Sequence, residues 1–160
     1  MGSTSVLKSG SSTEPTVDIP LLHLWRFNLS TGTVTQEMLD EVPGEFPRIK
    51  ENLLGRKTQY ACAAKMAKDS LPLFDSIIKY NLISGKSQTH EFQQRRYGGE
   101  AVFGPRFGAT TEDDGWLITF VYNQNLETSE LVVINAQDVT SEAIGRVIIP
   151  ERVPYGFHGT

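Results

Sequence analysis

Apolar and polar residues alternate along several short stretches of this chain, most clearly in "WLITFVY" (residues 116–122). Such alternation predicts half-buried antiparallel strands. The pattern also recurs. "WRFNLSTG" (residues 25–32) returns as "IKYNLISG" (residues 78–85), with Asn28 matching Asn81, Leu29 matching Leu82 and Gly32 matching Gly85, an offset of 53 (81 − 28). A fainter third copy, "VVINAQD" (residues 132–138), puts Asn135 a further 54 positions on (135 − 81). A repeat of about 50 residues built from several short strands is the mark of propeller blades rather than of a sandwich. The expected class is therefore all-β. Three echoes do not close a ring of blades, so the sequence is expected to be part of a larger protein. One segment, "KMAKDSLPLFDSIIKY" (residues 65–80), breaks the alternation: Phe74, Ile77 and Ile78 stand at i, i+3 and i+4 and predict a short helical turn or apolar loop packed onto the blades, rather than a greasy lip for a lipophilic ligand.

Residues 1–18 are rich in Ser, Thr and Gly with little apolar content, which predicts a disordered leader ahead of an ordered part covering residues 19–160. The leader has no apolar h-region of a secretory signal, and no run approaches the ~18 apolar residues that span a bilayer. With a net charge of −4 and no basic cluster larger than Arg95 and Arg96, nucleic acid is excluded as an expected partner. Cys62 is the single cysteine, so an intrachain disulfide and a multi-cysteine zinc site are ruled out, and within "YACAAKMA" it reads as a small core residue. No phosphate-binding glycine loop, G-x-S-x-G or H-E-x-x-H occurs. The acidic triplet Glu112, Asp113 and Asp114 before Gly115 lacks the spaced oxygens of a calcium loop and reads as a hairpin turn.

Three histidines remain as candidate ligands. His23 alternates with Trp25 and Phe27, and His90 sits in polar "SQTHEF"; both read as ordinary side chains. His158 is framed differently. In "RVPYGFHGT", Pro154 fixes the backbone, Tyr155 and Phe157 flank the position, and Gly156 and Gly159 leave room beside the imidazole. From its surroundings alone, a ligand and an ordinary side chain are equally open readings. Glu45 in "PGEFPRI" and Glu100 in "YGGEAVF" could receive the ring N–H of a metal-bound histidine, although each also reads as the polar end of a surface strand.

Taken together and in order, "GEFPRI", "GRKTQYA", "RYGGEAVFGPR", "TEDDGWLITFVYN", "SELVVINAQD" and "IIPERVPYGFHGT" closely resemble the C-terminal part of the carotenoid cleavage oxygenases. The resemblance runs from about Leu21 to Thr160. It implies a partial seven-bladed β-propeller of about three blades, and a ferrous iron, Fe(2+), held on the propeller axis by four histidines. His158 matches the last of those ligands, and Glu45 and Glu100 match two of three glutamates that orient them. The other three ligands belong to upstream sequence, and His23 and His90 do not stand at their positions.

The function so implied is oxidative cleavage of a conjugated C=C bond of a carotenoid or apocarotenoid by O₂. The expectation is that this chain is the C-terminal portion of such a dioxygenase and is inactive alone. The alternative is a non-catalytic propeller remnant that binds a lipophilic molecule or a partner subunit. A cytoplasmic or plastid setting suits either, with the protein soluble or in peripheral contact with a membrane.

Overall fold

The computed structural model describes residues 19–69 and 71–156. The predicted leader and His158 lie outside these described residues. Eleven strands form two sheets among the described residues. A two-stranded antiparallel hairpin joins β1 (His23–Phe27) to β2 (Val34–Met38). A four-stranded meander follows: β3 (Gly44–Arg48), β4 (Tyr60–Met66), β5 (Phe74–Asn81) and β6 (Lys86–Glu91). The short β7 (Arg96–Gly98) then leads to a second meander of β8 (Val102–Pro105), β9 (Gly115–Asn123), β10 (Thr128–Asn135) and β11 (Gly145–Ile149). Pairing with both β5 and β9, β7 knits the two meanders into one sheet. A Cβ at Gly98 would lie 2.4 Å from the ring of buried Phe92, so only glycine lets β7 pass there.

The asparagine echo has a structural meaning. Asn81 and Asn135 each end the third strand of a meander, and Asn28 follows β1, which stands in the same place in the half-unit before them. Asn28 and Asn81 build the same turn. Each Oδ1 accepts the N–H groups two and three residues on, each carbonyl accepts the N–H of the glycine four on, and that glycine has positive φ, 69° at Gly32 and 68° at Gly85. At Asn135 the loop is longer, and Oδ1 accepts only from Gln137.

Two apolar clusters lie on opposite sides of the central meander. Ala63, Ile78 and Tyr80 pack against Leu22 and Val42, whereas Ile77, Phe74, Phe92, Leu117, Val121, Val132 and Val139 fill the space between the two meanders. Strand β5 therefore has both faces buried. This corrects the helical turn or loop expected around residues 74–78. Opposite Lys65 and Met66 the ladder skips Asp75, and this bulge turns Phe74 to the same side as Ile77 three residues later. A bulged strand buried on both faces thus reproduces a helix-like spacing.

The acidic triplet does form the turn between β8 and β9, and each acid has a partner, one within the turn and two beyond it. Asp114 pairs with Arg106, and Asp113 with Lys79 of β5. Glu112 accepts the Thr58 hydroxyl and the N–H groups of Gln59 and Tyr60, at 2.9 and 2.8 Å, tying the second meander to the start of β4. Burial pushes the Glu112 carboxyl up, but those hydrogen bonds outweigh it and hold it below the ordinary range. Glu91 is held low as well, mainly by the Ser76 hydroxyl and, against burial, by Lys65. A depressed folded-state pKa contributes stability that is present above the unfolded value of about 4.3 and is lost as pH falls through the folded value. Thermal unfolding is thus expected to move to lower temperature below about pH 4, with Glu112→Gln less stable at neutral pH and less steep in its acid response.

Candidate functional site

Glu45 and Glu100 stand at matching places in successive meanders. Each follows a glycine, Glu45 as the second residue of β3 and Glu100 two residues before β8, and they are 55 residues apart (100 − 45), close to the 53 and 54 of the asparagine echo. This kinship within the repeat escaped the sequence reading, although comparison of "GEF" with "GEAVF" at the echo offset carries it.

At Glu45 the backbone is bent. Residues 46 and 47 oppose a single position of β4, and Phe46 takes φ 55°, a left-handed conformation uncommon for a bulky residue. Packing of the Phe46 ring on Phe74, centroids 5.2 Å apart, holds the bend. Glu45 pairs with Ala64 in the ladder, and its carboxylate has no hydrogen bond or ion pair among the described residues.

Glu100 is held more firmly. Its side chain is 5 % exposed and accepts a hydrogen bond at 2.9 Å from Arg48, at the far end of β3 from Glu45, which also pairs with Glu51. The Glu100 carboxylate raises the Arg48 pKa above its already high ordinary value, with burial opposing. Arg48 thus links the first strand of one meander to the entry of the next, a contact that sequence reading missed because no local pattern marks it.

The chain after β11 returns across the second meander. The Val153 N–H donates to the hydroxyl of fully buried Ser129 on β10 at 2.8 Å. The Arg152 guanidinium lies 4.7 Å from the Tyr122 ring centroid and 5.7 Å from that of Tyr155, and the two rings meet edge to face at 5.9 Å. Gly156 carries its carbonyl to 3.7 Å from where a Cβ of Gly99 would stand. A cleft of about 220 Å³ between this segment and the sheet is lined by Tyr97, Glu100, Phe120, Tyr122, Val153 and Pro154 among others. The structure therefore brings Glu100 together with the backbone that reaches Gly156, two residues before His158.

The other candidates lie elsewhere. His23 Nδ1 is 2.8 Å from the Gln36 amide on β2. His90 is buried and donates from Nδ1 to the Val139 carbonyl at 3.0 Å, with Nε2 unpartnered among the described residues. Burial pushes the Cys62 thiol up to about 12, which leaves no thiolate for chemistry. Among the described residues no group of three or more His, Cys, Asp or Glu side chains could hold a metal ion, so these residues do not make a ligand set by themselves.

Residues 3–160 match the family model described as retinal pigment epithelial membrane protein (RPE65). The chain is 36% identical over 141 residues to apocarotenoid-15,15'-oxygenase of Synechocystis sp., an alignment covering 86% of this chain and 29% of that protein. It is 37% identical over 152 residues to carotenoid 9,10(9',10')-cleavage dioxygenase 1 of Pisum sativum, covering 86% and 28%. The solved structure of the Trp149Ala mutant of Synechocystis apocarotenoid oxygenase superposes with a TM-score of 0.82 and 32% identity over 88% of this chain and 30% of that one, and a cobalt-substituted form of the same enzyme matches equally well. The chain thus spans less than a third of the relatives it matches, and its two meanders and leading hairpin are part of a seven-bladed β-propeller. By sequence over nearly its whole length and by fold, this chain belongs to the RPE65 and carotenoid cleavage oxygenase family.

Proposed function

We propose that this chain supplies the C-terminal blades of an iron-dependent dioxygenase that cleaves a conjugated C=C bond of a carotenoid or apocarotenoid. In the complete protein His158 is one of four histidine ligands, and the other three come from outside this chain. Fe(2+) bound there supplies the activation of O₂ by which such a bond is split into two carbonyl products. The observation that carries the reading is the convergence of the buried Glu100 carboxylate with the segment ending at Gly156.

Glu45 and Glu100 are suited to accepting ring N–H groups of metal-bound imidazoles, which fixes ring orientation and raises basicity. Blades surround a central channel, and on this reading the carboxylates at the starts of β3 and β8, the first strands of successive meanders, belong to its lining. One oxygen of Glu100 is taken by Arg48, which balances its charge in a place where an unpaired carboxylate would be costly. Tyr97, Phe120 and Pro154 line the cleft beside that carboxylate.

The open sides of the sheets fit the same reading. Trp25 and Phe27 on β1 and Val147 and Ile148 on β11 are exposed at the two ends of the blade series, where adjoining blades of a closed ring stack. No helix among the described residues is long and apolar enough to cross a membrane. A cytoplasmic or plastid protein, soluble or resting on a membrane surface, suits the proposed lipophilic substrate.

The test is a chimera in which this chain replaces the matching segment of the Synechocystis apocarotenoid oxygenase. The chimera is expected to consume O₂ and cleave an apocarotenal, while the 160-residue chain alone does neither, because a single imidazole does not hold iron. A folded chimera without cleavage, or full cleavage by the chain alone, contradicts the proposal.

A further inference from the structure

We infer that Ser129 is a positioning residue for the proposed metal site, acting at a distance by pinning the chain segment that leads to His158. The inference rests on the ligand role proposed for His158 and adds a residue that touches neither metal nor substrate.

The tail takes a directed path. Strand β11 is the outer edge of its meander, and the chain leaving it doubles back over its own sheet. From Val153 on, it meets β10 at Ser129 through the Val153 N–H, then β9 at Tyr122 through the Tyr155 ring, and then the connection before β8 at Gly99 through the Gly156 carbonyl. Each step moves one strand inward, from the rim toward the first strand of the meander. Ser129 and Tyr122 are directly opposite each other in the β9–β10 ladder, and Tyr97 of β7 is opposite Tyr122. One cross-strand row therefore forms the bed on which residues 152–155 lie.

Within that bed the Ser129 hydroxyl is the polar fastening of the backbone. It is fully buried, and it accepts the Val153 N–H, a donor that the sheet ladders leave unused. The other contacts are side-chain ones: Arg152 against Tyr122 and Tyr155, the two rings edge to face, and a long 3.5 Å hydrogen bond from the Gln124 amide to the Tyr155 hydroxyl, which set the height of the tail but tolerate sliding along it. A hydrogen bond to a fixed strand sets the register of the segment at Val153, and His158 follows five residues on in the sequence. A ligand held in the wrong register loses metal affinity even when its own chemistry is unchanged.

The test measures cobalt(II) affinity and the cobalt absorption spectrum of the chimera described above. Ser129→Ala is expected to weaken cobalt binding by about tenfold and to shift the visible bands, the size seen when outer supports of a ligand are lost. Ser129→Thr, which keeps the hydroxyl, is expected to restore both. Arg152→Ala removes an exposed side chain that carries no part of the core, and is expected to weaken binding in the same direction by a smaller factor. His158→Ala serves as the reference and is expected to abolish the bands. If His158→Ala abolishes them while Ser129→Ala and Arg152→Ala bind as the unsubstituted chimera does, the positioning role is wrong and the ligand role stands. If His158→Ala leaves the bands intact, the ligand role fails and this inference falls with it.

Discussion

Asp113→Ala is expected to destabilise the fold by about 3–5 kcal/mol, the cost of stranding a buried charge. The stranded charge is Lys79. Its ammonium donates to Asp113 at 2.7 Å and to the Ala136 carbonyl at 2.6 Å, and lies 4.2 Å from the Tyr60 ring centroid. The two side chains are 8% and 13% exposed, so water does not substitute for the lost carboxylate. Lys79 belongs to the central meander, and Asp113 and Ala136 to the next, which makes the pair a fastening between blades. Because an ion pair is weak relative to its apolar replacement, the double variant with Lys79→Met is expected to recover most of the loss. The measurement is a thermal or urea unfolding series on the four proteins of that cycle. A double variant no more stable than Asp113→Ala alone would show that the loss does not come from an unpaired lysine.

How far the sequence discloses this molecule depends on the range of the interaction. Alternation in residues 116–122 is legible because β9 shows alternating burial along its length. The blade repeat is legible through asparagines that end equivalent strands, since a turn is a local device and its chemistry stays within five residues. Phe74 and Ile77 mislead because a one-residue bulge changes the period without changing composition. Glu112, Asp113 and Asp114 are legible as a turn, but Glu112 and Asp113 are illegible as fastenings, because Thr58, Lys79 and Tyr60 lie 34 to 54 residues away. Arg48 and Glu100, 52 apart, are hidden for the same reason. An acid before a strand reads as exposed from composition, so the residues alone leave Glu45 and Glu100 as open candidates, and the family resemblance is what implies their orienting role. Their equivalence within the repeat becomes plain from the strand order, and the Ser129 anchor from its hydrogen bond with the Val153 N–H, 24 residues away.

His158→Ala is expected to have the largest functional effect. Four neutral imidazoles suit ferrous iron, and loss of one leaves a ligand set too small to retain it against chelators. The Glu100 carboxylate is not expected to replace the missing ligand, because it is already engaged by Arg48. Cleavage is expected to disappear with the metal rather than independently of it, whereas thermal unfolding changes little, since the apolar clusters of the described residues are built without the tail. Glu100→Gln offers a graded comparison: the side chain keeps its shape, and iron affinity is expected to fall by roughly 10–100-fold rather than to vanish.

The most direct measurement is the iron content of the chimera, purified without oxygen, with and without His158→Ala. Stoichiometric iron in the first and only traces in the second is the result that a C-terminal iron ligand in this chain requires. Equal iron in both proteins would contradict it.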